Sequence, residues 1–285
     1  MTKAGMAGWR RQLRRIGRKP LLVVGILIVV GILVMAAFPK QLSPYDPLKS
    51  NLVHRLEAPS KEHWFGTDPL GRDLLSRVIH GSRVSVITGF IVVFLAAAVG
   101  SFVGAVAGFY GGALDQVVMR VVDVLIAFPY MILAMALAAA LGPSLINTMI
   151  ALSIVWVPRY ARMMRGQVLQ AMGSEYVESA RALGVGRLRI LVRHLLPNCF
   201  EPVLIKGTLD VGTTIMYAAA LGFIGLGAQP PSPEWGAMIS QSRSYILYSW
   251  WYTTFPGLAI LVACLGFNLI GDGIRDLVDP RTAKT

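Results

Sequence analysis

The sequence predicts an all-α polytopic membrane protein with six transmembrane helices. Of its 285 residues, 55% are hydrophobic and only 15% are charged, whereas soluble domains carry about 25% charged residues. Apolar runs of roughly 18 or more residues recur along the chain, and each is long enough to cross a bilayer core. Arginines concentrate between these runs, and by the positive-inside rule they set the orientation of the chain in the membrane.

The formal net charge of +12 would suggest a nucleic-acid partner for a soluble protein. Here the basic residues flank apolar runs, where they set orientation and face anionic headgroups. We therefore expect membrane lipid, and no nucleic acid, as a partner. The two cysteines, Cys199 and Cys264, are not accompanied by a metal-binding or redox motif, so we expect no metal site.

The chain is expected to divide into four parts. A basic cytoplasmic N-terminus (1–20) precedes a first transmembrane helix (21–38). We interpret this helix as a signal anchor because no convincing cleavage site follows it. The next part is an extracytoplasmic loop with an interfacial helix (39–83), in which acids and bases nearly cancel. The fourth part is a five-helix core domain (84–285).

The core helices follow from the apolar runs. The fourth of the six spans carries Arg159, Arg162 and Arg165 at its far end, which places that end in the cytoplasm. Six spans from a cytoplasmic N-terminus return the C-terminus to the cytoplasm, so the charge pattern and the span count agree. The five core spans are expected at about 84–110, 117–141, 148–165, 203–225 and 252–270.

The polar segment 175–197 interrupts this apolar pattern. Glutamates begin it, where the positive end of a helix dipole favours acids. Gly184 and Gly186 are expected to break the helix, and Pro197 is expected to close a second, basic helix before the next span. An apolar stripe is expected at Tyr176, Ala180 and Leu183.

Two interpretations of this segment follow from its residues alone. An amphipathic connector would lie on the inner headgroups. A docking element would instead use its small residues, Ser179, Ala180 and Gly184, to let a partner surface approach closely.

Several motifs of the chain resemble one family. "ESARALGVGRLRILVRHLLP" resembles the EAA loop of binding-protein-dependent ABC importer permeases. Glu178, Ala180, Gly184 and Pro197 match that loop, and Ser179 replaces its first alanine. "FGTDPLGRDLLSR", "LGFIGLGAQPPSPEWG" and "GDGIRDLVDPR" resemble the C-type subunit of dipeptide, oligopeptide and nickel permeases, in the same order along nearly the whole chain.

The resemblance implies the transmembrane domain of a type I ABC importer. It also implies that the EAA loop, residues 175–197, docks on ATPase subunits and couples their closure to alternating access. The partners implied are a homologous B-type permease, two ABC ATPases and an extracytoplasmic solute-binding protein. No cofactor is expected on this chain, while ATP and magnesium would bind the ATPases.

Two further groups of residues are singled out by their spacing. Gly100, Gly104 and Gly108 recur every four residues and lay a groove for close helix packing, or alternatively a hinge. Lys206 and Asp210 lie four residues apart on one helix face, as a candidate pathway or gate, or as a paired couple near the cytoplasmic end.

Before the second span, Asp73 is expected to cap a short interfacial helix. The loops 63–83 and 227–250 are candidate contacts for the solute-binding protein.

The sequence lacks a GxxxxGK[ST] phosphate loop and a nucleophile–base constellation. Together with the resemblance, which implies a permease of the bacterial inner membrane, this predicts a transport subunit and not an enzyme. An ATPase-independent secondary carrier and a membrane-embedded enzyme are the rival classes. Peptides are the expected cargo, with nickel chelates, glutathione and oligosaccharides as alternatives, since relatives of this class carry all of these.

Overall fold

The computed structural model describes residues 19–278, and the described residues form helices and connecting loops without a sheet. The predicted N-terminal segment 1–20 lies outside that range apart from Lys19 and Pro20. The tail beyond Val278 also lies outside it. The nine principal helices are α1 (Pro20–Ala37), α2 (Leu74–Tyr110), α3 (Gly112–Ala127), α4 (Tyr130–Leu141), α5 (Leu145–Met172), α6 (Glu175–Ala182), α7 (Glu201–Phe223), α8 (Trp235–Ser242) and α9 (Trp250–Val278).

Helix α1 begins at Pro20, where the missing N–H of proline costs nothing. It packs along α9 through glycines that let the two backbones approach. A Cβ on Gly25 would lie 2.7 Å from Leu269, and one on Gly273 would lie 2.6 Å from Leu22. Near the same C-terminal end of α9, the Lys19 ammonium lies 3.2 Å from the Asp276 carboxylate. The start of α1 and the end of α9 therefore lie side by side.

Helix α2 is longer than expected. The Asp73 carboxylate caps it by accepting a hydrogen bond from the Ser76 N–H at 2.8 Å, as predicted. The prediction of a separate short helix before the second span is wrong, because the 37 residues from Leu74 to Tyr110 form one continuous helix. No proline interrupts this stretch, and Gly81 in its first part packs closely against Trp235.

The third predicted span is not one straight helix. Helices α3 and α4 are bent by 94° at the break between Ala127 and Tyr130. Pro129 explains the break, because a proline disfavours helical geometry in the preceding residue. Phe128 accordingly adopts an extended conformation, with φ −76° and ψ 140°.

The core lies where α2, α5, α7 and α9 meet. Its fully buried side chains include Leu152 and Tyr160 of α5, Val92 of α2, Ile215 of α7 and Ala263 of α9. Helix α5 is longer than the predicted span 148–165, so Arg159 lies near its middle and not at its end.

Three helices, α1, α2 and α9, are long and apolar enough to cross a membrane, and the bent pair α3–α4 raises the number to four. Helices α5 and α7 fall short of that criterion, and both carry charged residues within their length.

The remaining described segments are connections. The α1–α2 connection, residues 38–73, contains single turns at Pro39–Leu42 and Leu52–His54. The EAA segment, residues 175–197, contains α6 and the turns that follow it. A connection between α7 and α9 contains α8 and the turn Arg243–Tyr245.

Candidate functional site

The EAA segment begins with α6, which lies against the end of α5 through a narrow apolar face. Val177 is fully buried and Ala180 is 6% exposed. The predicted stripe of Tyr176, Ala180 and Leu183 is therefore wrong at its two large members, since Leu183 is 83% exposed and Tyr176 is 41% exposed. The buried face instead contains Val177 and Ala180, so it is rotated by about one residue from the predicted stripe.

The glycine break of this segment is a helix C-cap. Gly184 has a left-handed φ of +73°, which only glycine adopts without cost. Its N–H donates to the Arg181 carbonyl at 2.9 Å, and the Val185 N–H donates to the Ala180 carbonyl at 3.1 Å. These two bonds form a Schellman motif. Gly186 has ordinary backbone angles and begins the next helical turn.

The second half of the EAA segment is helical from Arg187 to Cys199, with a π-helical stretch at Ile190–Leu195. Pro197 does not close this helix as predicted, because the helix continues to Cys199. At the end of the π-helical stretch, the Leu196 N–H donates to the Leu191 carbonyl. This i to i−5 bond widens the turn, and the wider turn accommodates Pro197, which a regular helix would not.

The five EAA residues differ in their exposure to solvent. Glu178, Ser179, Gly184 and Pro197 are exposed, whereas Ala180 is buried. A methyl group added at Gly184 would meet nothing within 4 Å. Burial raises the pKa of the Cys199 thiol, which keeps it protonated as a small apolar side chain. The exposed part of the motif is thus open to a partner, and the buried part holds α6 in place.

Lys206 and Asp210 form a pair, as their spacing predicted. The Lys206 ammonium lies 3.1 Å from the Asp210 carboxylate, and the Tyr160 hydroxyl of α5 donates to the same carboxylate at 2.7 Å. Asp210 is 5% exposed. The pair therefore ties α7 to α5 in the interior of the helical bundle.

An aromatic cluster surrounds this pair, and sequence reasoning missed it. The Arg159 guanidinium lies 5.2 Å from the Tyr130 ring centroid and 5.1 Å from that of Trp156. The Lys206 ammonium lies 5.7 Å from the Trp156 centroid. The Tyr217 hydroxyl donates to the Tyr130 hydroxyl at 2.5 Å. Three helices, α4, α5 and α7, contribute to the cluster, so only the tertiary structure shows it.

Arg159 is exposed on the surface of this chain and makes no ion pair among the described residues. It lies near the middle of α5, a long way from either helix end. A charge at such a position is expected to face a protein interior or a water-filled cavity, and not lipid.

The three spaced glycines of α2 face α5. A Cβ on Gly104 would lie 2.0 Å from the Ala161 carbonyl oxygen, and one on Gly100 would lie 2.6 Å from the Val157 carbonyl oxygen. Gly108 has more room, with the nearest atom at 3.2 Å in Arg165. The structure therefore places the glycine groove at a close contact between the backbones of α2 and α5.

The charges of α3 meet the arginines of α5. The Arg165 guanidinium donates to both oxygens of Asp115, each at 2.6 Å. Arg162 pairs with Asp123. The bidentate Arg165–Asp115 pair is strong and directional, and it holds the start of α3 against the second half of α5.

Long apolar helices with a buried polar pair between them define this chain as a multi-pass helical membrane protein. The sequence profile of the family described as "binding-protein-dependent transport system inner membrane component" matches residues 100–284. The profile described as "N-terminal TM domain of oligopeptide transport permease C" matches residues 8–59. The chain belongs to the binding-protein-dependent transport permease family.

Curated relatives match almost the whole chain. A probable D,D-dipeptide transport system permease from Escherichia coli K12 is 48% identical over 92% of this chain and 88% of the relative. A dipeptide transport permease from Alkalihalophilus pseudofirmus is 43% identical over 96% of this chain and 90% of the relative. A glutathione transport permease from Escherichia coli O157:H7 is 42% identical over 96% and 90%.

A solved structure shares the fold. The MetNI methionine ABC transporter, in its inward-facing conformation, contains a chain that matches with a TM-score of 0.59 and 20% identity, over 72% of this chain and 98% of that chain. The predicted resemblance is confirmed by these comparisons. The chain is a permease subunit of an ABC importer in the bacterial inner membrane, and it is a transport component and not an enzyme.

Proposed function

We propose that this permease moves di- or oligopeptides inward by alternating access, driven by ATP hydrolysis on partner subunits. The observation that carries the proposal is the EAA segment, which presents Glu178 and Gly184 on an exposed surface while Val177 and Ala180 anchor it to the body of the protein. A segment held on one face and open on the other is suited to receive a docking partner and to transmit its movement.

The charges of the EAA segment support docking. Its exposed glutamates and arginines form no ion pair among residues 19–278, so they are available to a second protein. An amphipathic connector on the headgroups would instead bury a continuous apolar stripe in lipid. Here Val177 and Ala180 face the protein itself. The exposed apolar side chains alternate along the sequence with charged ones; they are Tyr176, Leu183, Leu188 and Val192. The exposed charged residues are Glu175, Glu178, Arg181, Arg187, Arg189 and Arg193.

Six spans with both termini in the cytoplasm are part of the proposal. Helices α5 and α7 are long enough to cross a bilayer, and the charges that lower their hydropathy lie in contacts with neighbouring helices. The ion pair between Lys19 and Asp276 supports a common side for the two chain ends. By the positive-inside rule, the arginines of the EAA segment support the cytoplasm as that side.

The polar cluster around Lys206 and Asp210 is proposed to line the transport path. It holds two cations, Lys206 and Arg159, and one carboxylate. Arg159 is open to the outside of this chain, where a second permease would complete a cavity. Polar and aromatic groups of this kind suit a cargo with peptide groups and a free carboxylate. The other partners proposed are two ATPases, which would hold ATP and magnesium, and a solute-binding protein at loops 63–83 and 227–250.

The docking proposal is tested with the assembled transporter. Glu178→Lys and Gly184→Trp are expected to weaken ATPase association in a pull-down at least tenfold, which corresponds to about 1.4 kcal/mol, while membrane insertion is unchanged. Glu62→Lys, an exposed charge reversal in the α1–α2 connection, is the matched control. Undiminished association together with undiminished transport in both variants would refute the proposal.

The cargo is tested separately, by identifying the ligand in the co-purified solute-binding protein. Peptides are expected, because several relatives are named for dipeptide, di/tripeptide or glutathione transport. A nickel chelate or an oligosaccharide would overturn the peptide assignment without affecting the docking result. Gradient-driven transport by the purified chain alone would instead favour a secondary carrier.

A further inference from the structure

We propose that His54, Glu57 and His63 in the α1–α2 connection bind one divalent metal ion of the zinc class. One ligating atom from each of these three side chains lies within 4.8 Å of the other two. Within residues 19–278 no other group of histidine, cysteine or acidic residues meets this condition. The site does not depend on what the transporter carries.

The backbone around the three residues is held in place. His54 ends the single turn Leu52–His54, and the Thr67 hydroxyl donates to its carbonyl at 2.5 Å. The same hydroxyl accepts from the Glu57 N–H at 2.8 Å, and the Thr67 N–H donates to the Glu57 carbonyl at 3.0 Å. Thr67 is fully buried. The two residues His54 and Glu57 are therefore positioned before any ion arrives.

His63 is oriented by a buried carboxylate. Its Nδ1 lies 2.8 Å from Asp73 Oδ1, and the side chain of Asp73 is only 2% exposed. The other oxygen of Asp73 is held by the N–H and hydroxyl of Ser76. A carboxylate that accepts from Nδ1–H leaves the Nε2 lone pair of the ring free. Histidines that bind zinc commonly have this second partner, which fixes the tautomer and ring orientation.

The donor set selects the kind of ion. Two imidazoles and one carboxylate suit zinc better than calcium or magnesium, which prefer oxygen ligands. Three protein ligands leave a fourth position for water. His54 Nδ1 and Glu57 Oε1 now lie 2.8 Å apart as a hydrogen-bonded pair. Zinc with tetrahedral bonds of about 2.0–2.1 Å would hold them at about 3.3 Å, which a small side-chain rotation supplies.

The ligands are accessible from solvent. The side chains of His54 and Glu57 are 35% and 40% exposed, so an ion can enter without opening the fold. The expectation of no metal site did not consider these three residues. Their spacing is irregular, and only the folding of the connection brings His63 back to His54. A bound ion would tie the turn at Leu52–His54 to the residues that precede α2.

The test uses the full chain, purified in detergent with a histidine-free affinity tag and stripped with a chelator. Zinc is added and bound metal is measured by equilibrium dialysis and elemental analysis, with thermal unfolding in parallel. We expect about one saturable zinc per chain and a rise in the unfolding midpoint. Loss of an outer-shell partner typically costs about 10–100-fold in metal affinity. Glu57→Gln changes a ligand itself and is expected to weaken zinc binding by at least that much, and His54→Ala is expected to abolish it.

His80→Ala is the matched control, because His80 lies nearby but bonds Ser43 and the Ser76 carbonyl instead. It is expected to keep full zinc binding. His63→Ala is avoided, since it would leave Oδ1 of the buried Asp73 without the partner that His63 supplies. The absence of saturable binding, or binding that survives both His54→Ala and Glu57→Gln, would overturn the proposal. So would an equal loss in His80→Ala.

Discussion

The α1–α2 connection and the EAA segment are both polar and both lie between apolar helices, yet they use their charges in opposite ways. In the connection, the Asp68 side chain is fully buried and accepts from the Arg72 Nε at 2.6 Å. The Arg77 Nε lies 3.5 Å from the same carboxylate. In the EAA segment, the glutamates and arginines are exposed and form no ion pair with any residue from 19 to 278.

This difference separates two roles of polar residues in a membrane protein. Charges that are satisfied inside the chain hold a fold together, and their removal leaves buried partners unpaired. Charges that are left exposed contribute little to stability and remain available to another protein. Substitutions at matched positions in the two regions should therefore affect different measurements.

The largest effect is expected for Asp68→Ala. It would leave Arg72 and Arg77 buried without their counter-charge and lower the free energy of unfolding by about 3–5 kcal/mol. The midpoint of thermal unfolding in detergent measures the loss. Asp46→Ala is the control, because the exposed Asp46 carboxylate accepts only from the Leu48 N–H in a local turn. Equal losses in the two variants would contradict the structural role assigned to Asp68.

Gly71→Ala is expected to have the next largest effect. Gly71 has a φ of +69°, and its added Cβ would lie 1.7 Å from the Asn51 carbonyl oxygen. The left-handed conformation and the displaced backbone together should cost about 2–4 kcal/mol. Thermal unfolding again reports it, with Gly31→Ala in α1 as a control whose Cβ meets nothing within 4 Å. A loss of unfolding free energy smaller than that caused by Gly184→Ala would show that the connection tolerates rearrangement.

Gly184→Ala tests the same backbone conformation in the EAA segment. Its φ of +73° resembles that of Gly71, but its Cβ meets nothing within 4 Å. Only the conformational cost of about 1 kcal/mol should remain. Gly186→Ala, at an ordinary φ of −60°, should change the unfolding midpoint less. If Gly184→Ala destabilised the chain as much as Gly71→Ala, the space beside the Gly184 Cα would not be free for an added methyl group.

The smallest effect on stability is expected for Glu178→Gln, within about 0.5 kcal/mol, since the side chain is exposed. Transport by the assembled complex should nevertheless fall, because the carboxylate is proposed to face the ATPase. Unfolding and transport are measured on the same preparation. Glu62→Gln, exposed in the connection, should change neither. If the Glu178→Gln complex unfolded at a lower temperature but transported normally, Glu178 would belong with the charges that stabilise the fold and not with those that bind a partner.

Local signals in the sequence predicted local features correctly. Asp73 caps α2 because a carboxylate before an apolar helical stretch satisfies its first N–H groups. The glycine break at Gly184 follows from the low cost of a left-handed φ for that residue. Pro129 was an equally local signal for the bend between α3 and α4, but a hydrophobicity pattern alone does not show it.

Features that depend on packing between helices could not be predicted from the sequence pattern of apolar residues. Whether Val177 or Tyr176 is buried depends on which side of α6 meets α5. Pro197 lies within a helix because the π-helical stretch before it widens the turn. The contacts of Arg159 with Tyr130 and Trp156 join residues on α4 and α5. In each case the deciding contact comes from another element of the structure.

The continuity of α2 has a mechanical consequence. One helix of 37 residues joins the α1–α2 connection at Leu74 to the glycine contacts with α5 and ends at Tyr110. At 1.5 Å per residue it is about 55 Å long, so each degree of tilt moves its far end by about 1 Å. A push on one end therefore arrives at the other as a lever displacement, with no hinge between them to absorb it.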